Sequence, residues 1–224
     1  MLVIGLDGYP RGWVVAAIED GDLLDLTTAA DAGAALAMFP GATAVGIDIP
    51  IGLPSGPDPR PADLETRALL GARSGTIFLT PPYDVIAAES HAEAVQRARA
   101  IGCPAPSAQA YSLRRKILEV APLAEADPRL FEVHPELAFR MLKSEPLTTR
   151  KRTWAGIAER LDLLDQAGLL PAPAFPAARV AAPDDILDAT VTALTAWRYA
   201  TGTATAIPAS ETTHPHHRIW HPGA

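Results

Sequence analysis

The sequence predicts an α/β fold built on one mixed sheet, and three observations lead there. Three short apolar stretches, 2–7, 12–18 and 22–27, follow one another across turn-rich links. A helical pattern over 29–39 then separates them from a nearly continuous apolar run over 43–49. Acidic residues stand just past the apolar runs, where an unpaired buried charge is costly and needs a reason.

The elements follow in order. Gly8-Tyr9-Pro10-Arg11-Gly12 and Glu19-Asp20-Gly21-Asp22 supply turn chemistry, so the first three strands form an antiparallel meander. Thr28 is placed to cap the first helix, and Pro40-Gly41 stops it. The unbroken apolar run over 43–49 suits a central strand covered on both faces. A right-handed crossover sets that strand parallel to the first and beside it. Residues 50–128 read as an insertion of loops and helices, with helices from 61 to 70, 90 to 101 and 108 to 120. A fifth strand over 129–134 precedes helices at 135–142 and 152–167. An Ala/Pro linker over 171–183 leads to a last helix at 184–200. The Pro-punctuated end, about 205–224, carries His214, His216, His217 and His221 and reads as an irregular tail without an assigned site.

Composition narrows the function. The 224 residues suffice for a single domain, 1–224, with a substantial insertion. A net charge of −7 argues against a broad electropositive surface for duplex binding, so any nucleic-acid contact must be local or metal-bridged. Cys103 is the single cysteine, which excludes an intrachain disulfide and fits a reducing, cytoplasmic setting. No apolar stretch is long enough to span a bilayer, and a secretory leader pattern is not expected at the N-terminus.

The acids carry the chemistry. Asp7 ends the first apolar run and Asp48 the fourth, and parallel neighbours bring both to the C-terminal edge of the sheet, where open α/β sheets bind ligands. Asp48 lies between Ile47 and Ile49, a strand position poorly suited to an acid. Asp188 lies inside the last helix, where capping cannot explain it, and Asp185, three residues earlier, is a second ligand candidate that capping also explains. Glu136 follows Pro135 in a helix first turn, where the helix dipole alone would favour it. His134 suits a core histidine, a ligand or a proton shuttle. Arg60 and Arg67 share a helix face with Asp63, and Lys151 sits in the basic run Arg150-Lys151-Arg152. These are the residues expected to meet a phosphate.

Taken together, Gly5-Leu6-Asp7-Gly8 with Gly12-Trp13, the run Gly46 to Pro54, Arg60-Pro61-Ala62-Asp63 with Arg67 and Gly71, Glu132 to Glu136, and Asp184 to Ala189 resemble the family called domain of unknown function 429, described as predicted ribonuclease H-like nucleases. The resemblance covers nearly the whole chain, and the last helix is also similar to that of bacterial Holliday-junction resolvases. It implies a ribonuclease H-like five-stranded mixed sheet, order 3-2-1-4-5, flanked by helices. It also implies metal-binding acids at Asp7, Asp48 and Asp188, with Asp185 and Glu136 next. The expected activity is phosphodiester hydrolysis with Mg²⁺ or Mn²⁺. The expected partner is nucleic acid or a nucleotide, with no membrane; a homo-oligomer is left open. Two rivals use the same scaffold: a non-catalytic nucleotide- or protein-binding domain, and an actin-like phosphotransfer enzyme.

Overall fold

A computed structural model describes residues 1–209 and 217–223. The sequence's alternation becomes a meander of β1 (Leu2–Tyr9), β2 (Gly12–Glu19) and β3 (Asp22–Ala29), antiparallel throughout. Helix α1 (Ala32–Met38) crosses over to β4 (Val45–Ile47), which runs parallel to β1 in the register Gly5↔Gly46 and Leu6↔Ile47. Because β3 continues to pair with β2 as far as Ala29, α1 starts later than the sequence predicts. Asp31, not Thr28, caps it by accepting the Ala34 N–H at 2.7 Å.

Between β4 and β5 (Leu130–Val133) lie α2 (Pro61–Leu70), α3 (Tyr83–Ile86), α4 (His91–Ile101), α5 (Ala108–Ser112) and α6 (Arg114–Ala126). The predicted helix over 108–120 is thus two helices broken at Leu113, and α6 runs on past Pro122. After β5 come α7 (Pro135–Lys143), α8 (Trp154–Gln166) and α9 (Pro183–Ala200).

The sheet is larger than the five strands expected. Its order is β3-β2-β1-β4-β5-β7-β6, with β6 (Thr205–Ile207) and β7 (Ile219–His221) added beyond β5. Part of the predicted irregular tail is therefore sheet: β7 pairs parallel to β5, and β6 antiparallel to β7. Each strand is only three residues long, too short for a visible alternation. Buried His221 lies on β7, whereas His214 and His216 lie outside the described residues.

Period-two alternation sends side chains to two cores. Ile4, Leu6, Val15, Val45 and Ile47 pack on the face covered by α1 and α6. Val3, Val14, Ala16, Phe131 and Val133 pack on the opposite face with α7, α8 and α9. On that second face, Gly5 and Gly46 sit side by side and leave the backbone bare. Helix α9 lies directly on this patch: a Cβ on Gly5 would meet Ala193 N at 2.0 Å and Ala189 O at 2.6 Å, and one on Gly46 would meet Thr192 O at 2.9 Å. The helix answers with small residues at the contact.

Backbone atoms on both sides cannot yield cheaply. Gly5→Ala is therefore expected to destabilise the fold by ~3 kcal/mol, the upper range for overpacking. Gly41→Ala, which meets nothing within 4 Å, is expected to stay within about 0.5 kcal/mol of wild type. Paired chemical denaturation curves check this. Equal midpoints for the two variants would contradict close packing of α9.

Candidate functional site

The same alternation that buries Val3 and exposes the Gly5 backbone to α9 turns Asp7 toward that helix. Asp48 follows one residue after β4, its N–H donating to Leu6 O at 2.9 Å, and so comes beside Asp7. Asp188 lies one turn ahead of Thr192 on α9, whose Oγ1 donates to Asp188 O at 2.7 Å. Three acids from β1, the end of β4 and α9 thus line one cavity of about 330 Å³ at the C-terminal edge of the central strands. Asp7 and Asp188 are buried, and Asp48 is half-buried.

Such crowding has electrostatic consequences. Burial, then the charges of Asp48 and Asp188, raise the Asp7 carboxyl well above the ordinary carboxylate range, and a hydrogen bond with Asp48 adds to the rise. Burial likewise pushes Asp188 up to about 6, with Lys151 opposing the shift. The Lys151 ammonium is hydrogen-bonded to Asp188 Oδ2 and lies 4.0 Å from Asp184 Oδ2. Burial works against its charge, but Asp188, Asp7 and Asp48 more than compensate, so Lys151 is held protonated above its usual range. Among the described residues, no three His, Cys, Asp or Glu side chains are arranged as a ready-made metal cluster. Lys151 is the positive charge that the acids share.

Other predicted residues fall elsewhere. Asp185 and Asp184 both line a neighbouring groove with Arg11, Arg115 and Arg152 rather than the acid cavity. It is Asp184, one turn before Asp188, that lies near Lys151, and it is held by Arg152 Nε at 2.9 Å. Neither Asp184 nor Asp185 is the helix cap, which falls at Ala182 without a side-chain bond. The i, i+4 spacing of Asp184 and Asp188 was the available signal for their common face.

Arg60 lines the cavity, but its five N–H groups are all engaged. It donates to Asp63 Oδ1 at 3.2 and 2.5 Å, to Glu132 at 2.7 and 3.0 Å, and to Ile51 O at 2.5 Å. Glu132 also accepts the Ile51 N–H at 2.8 Å, and Asp63 accepts the Thr80 N–H at 2.7 Å. This buried network fastens the loop after Asp48 to β5 and leaves Arg60 no donor for a phosphate. Arg67 does not line the cavity.

Glu136 does line the cavity, in the first turn of α7. It accepts from Arg160 Nη2 at 2.7 Å and lies 3.4 Å from Arg73 Nε. His134 is the N-cap of α7, its Nδ1 accepting the Leu137 N–H at 3.3 Å. In the neutral ring the proton therefore resides on Nε2. Sequence reasoning missed Glu132 and Arg73 as cavity-lining residues, whereas Lys116 belongs to the basic run Arg114-Arg115-Lys116 that the sequence offers as an anion-facing patch. Lys116 lies over the Trp13 ring at 4.1 Å and donates to Gly12 O at 2.5 Å.

Because Asp7 and Asp188 bind protons more tightly folded than unfolded, their stabilising contribution is full below the ordinary carboxylate value of 3.8. It is lost as pH rises, through about 6 for Asp188. His221 acts in the opposite sense, since burial pushes it down to about 4, so the useful quantity is a difference between proteins. In cation-free buffer, Asp7→Asn removes one charge from the cluster and should raise the Tm at pH 8 by a few degrees. The gap should shrink at pH 4. Thermal melts at the two pH values check this, and a gap of the same size at both would contradict mutual repulsion of the acids.

No curated protein and no solved structure matches the chain. The family described as Protein of unknown function (DUF429) does, over residues 5–213, and the chain belongs to that family.

Proposed function

We propose that this protein is a ribonuclease H-like, divalent-cation-dependent hydrolase of phosphodiester bonds, with Asp7, Asp48 and Asp188 as its cation-holding acids. The observation that carries the reading is the convergence of these acids from three separate elements on one cavity. A fold gains nothing in stability from burying Asp7 and Asp188 where neighbouring carboxylates raise their proton affinity, so a function is the better explanation. The strand sequence β3-β2-β1-β4-β5 within the larger sheet, antiparallel then parallel, also supports the ribonuclease H-like reading.

The donor set suits Mg²⁺ or Mn²⁺, both of which favour carboxylate oxygens. A bound cation would supply Lewis-acid activation of water and charge stabilisation at the leaving oxygen. Lys151 balances Asp188 in the cation-free protein, and its half-buried ammonium at the same cavity is placed to neutralise phosphate charge. Lys116 adds a second positive charge close enough to interact with Asp7. His134 presents its Nε2–H at the cavity wall as a hydrogen-bond donor to a phosphate oxygen, with Nδ1 committed to the backbone. The network of Arg60, Asp63 and Glu132 contributes rigidity, holding the loop that follows Asp48.

Bis(p-nitrophenyl) phosphate and short oligonucleotides serve as test substrates with Mn²⁺. Cleavage should stop with chelator and fall more than ~100-fold in Asp48→Asn, beyond the usual cost of losing a group that merely supports a metal ligand. Cleavage that persists in chelator, or survives intact in Asp48→Asn, removes the reading.

A further inference from the structure

One wall of the acid-floored cavity carries polar groups that the fold leaves incompletely bonded. Arg73 lies in the 3-10 turn Gly71–Thr76 that follows α2. Its Nε reaches Leu147 O at 3.3 Å and Glu136 Oε1 at 3.4 Å, and its Nη2 is buried without a hydrogen-bond partner. Charge-assisted bonds normally close to ~2.7–2.9 Å, so this guanidinium is loosely tethered and reorients at little cost. Its acidic neighbour Glu136 is shared: Oε2 accepts from Arg160 at 2.7 Å, and Oε1, the oxygen nearer Arg73, has no hydrogen-bond partner. Thr80 is 3% exposed, and its Oγ1 also has no hydrogen-bond partner. Both residues line the cavity that holds the acids.

Buried polar groups without partners are costly, and three on one cavity, at Arg73, Thr80 and Glu136, call for a ligand that satisfies them. A guanidinium only donates and a hydroxyl can donate, so the ligand presents oxygen acceptors; Arg73 and Arg160 share the one carboxylate of Glu136, and the positive charge left over selects an anion. The segment that brings Arg73 also brings Phe78, half-buried on the cavity, with Ile77 and Leu113 beside it. That supplies a flat apolar face for the body of the ligand. A volume of about 330 Å³ falls at the small end of ligand sites, roughly 300–1,000 Å³, and α6 and the 71–80 segment wall it.

We infer that the cavity takes a single nucleotide unit, its phosphate on Arg73 and Thr80 and its base against Phe78. The unit is either a free nucleotide or the end of a single strand. This rests on the proposed hydrolase's cavity being its substrate site, but not on the cation. Arg73 is thereby a phosphate-binding residue, the role that the fully engaged Arg60 cannot fill.

Titration calorimetry in EDTA separates this inference from the hydrolase reading. Adenosine 5′-monophosphate should bind one to one, and adenosine about tenfold weaker or worse, the scale of one charged hydrogen bond. Arg73→Lys keeps the charge but loses the fork, and should weaken nucleotide binding about tenfold. Thr80→Val, nearly isosteric, should weaken it about fivefold. Thermal melts confirm that both variants fold. A 5′-phosphorylated single strand that binds tighter than the mononucleotide identifies a strand end, and the reverse order identifies a free nucleotide. The inference is overturned if the mononucleotide does not bind at millimolar concentration, if both variants bind it as wild type does, or if a blunt duplex binds best. Binding that depends on Arg73 without any Mn²⁺-dependent cleavage keeps the nucleotide site and removes the hydrolase. Cleavage whose KM is unchanged in Arg73→Lys does the opposite.

Discussion

Everything at the candidate site depends on the contact between helix α9 and a bare patch of sheet backbone at Gly5 and Gly46. These two glycines are cross-strand partners, and α9 comes so close that a Cβ on Gly5 would lie 2.0 Å from Ala193 N. The rest is periodicity. A period of two carries the α9-facing side from Gly5 to Asp7 and from Gly46 to Asp48. Helical spacing places Asp188 and Asp184 one turn apart, ahead of the small residues that make the contact. A larger residue at either glycine would lift the helix and separate the acids.

The site is electrostatically expensive, and the surrounding structure offsets that cost in two distinct ways. Lys151 supplies a positive charge directly against Asp188. Away from the acids, the buried Arg60 pairs with Asp63 and Glu132 and pins the Ile51 backbone, so the loop after Asp48 has little freedom to swing its carboxylate into solvent. Neutralisation and rigidity are therefore separate tasks performed by separate cations. Arg73 belongs to neither group, and its long contacts to Leu147 and Glu136 leave its guanidinium loosely held on the same cavity.

Much of this was legible in the sequence because strand alternation and strand-end acids are local patterns. The meander, the parallel fourth strand and the adjacency of Asp7 and Asp48 all follow from apolar runs and one crossover. What failed to show was non-local. Strands β6 and β7 have three residues each and exist because β5 offers an edge to pair with. Arg60 looks like a phosphate ligand until Glu132, distant in sequence, is seen to occupy it. Asp184 and Asp185 are the same residue type side by side, both on the neighbouring groove, and only the seating of α9 brings the Asp184 carboxylate to 4.0 Å from Lys151. The position of Arg73 depends on how the 71–80 segment folds back over the sheet edge, which no periodic signal encodes.

Asp7, Asp48 and Asp188 are proposed to form a cation site whose charge Lys151 balances when no cation is bound. A crystal soaked in millimolar Mn²⁺ and measured at the manganese absorption edge tests it most directly. An anomalous peak is expected among the three carboxylates, with the Lys151 ammonium drawn away from Asp188. A crystal without that peak, in which Lys151 still rests on Asp188, would contradict it.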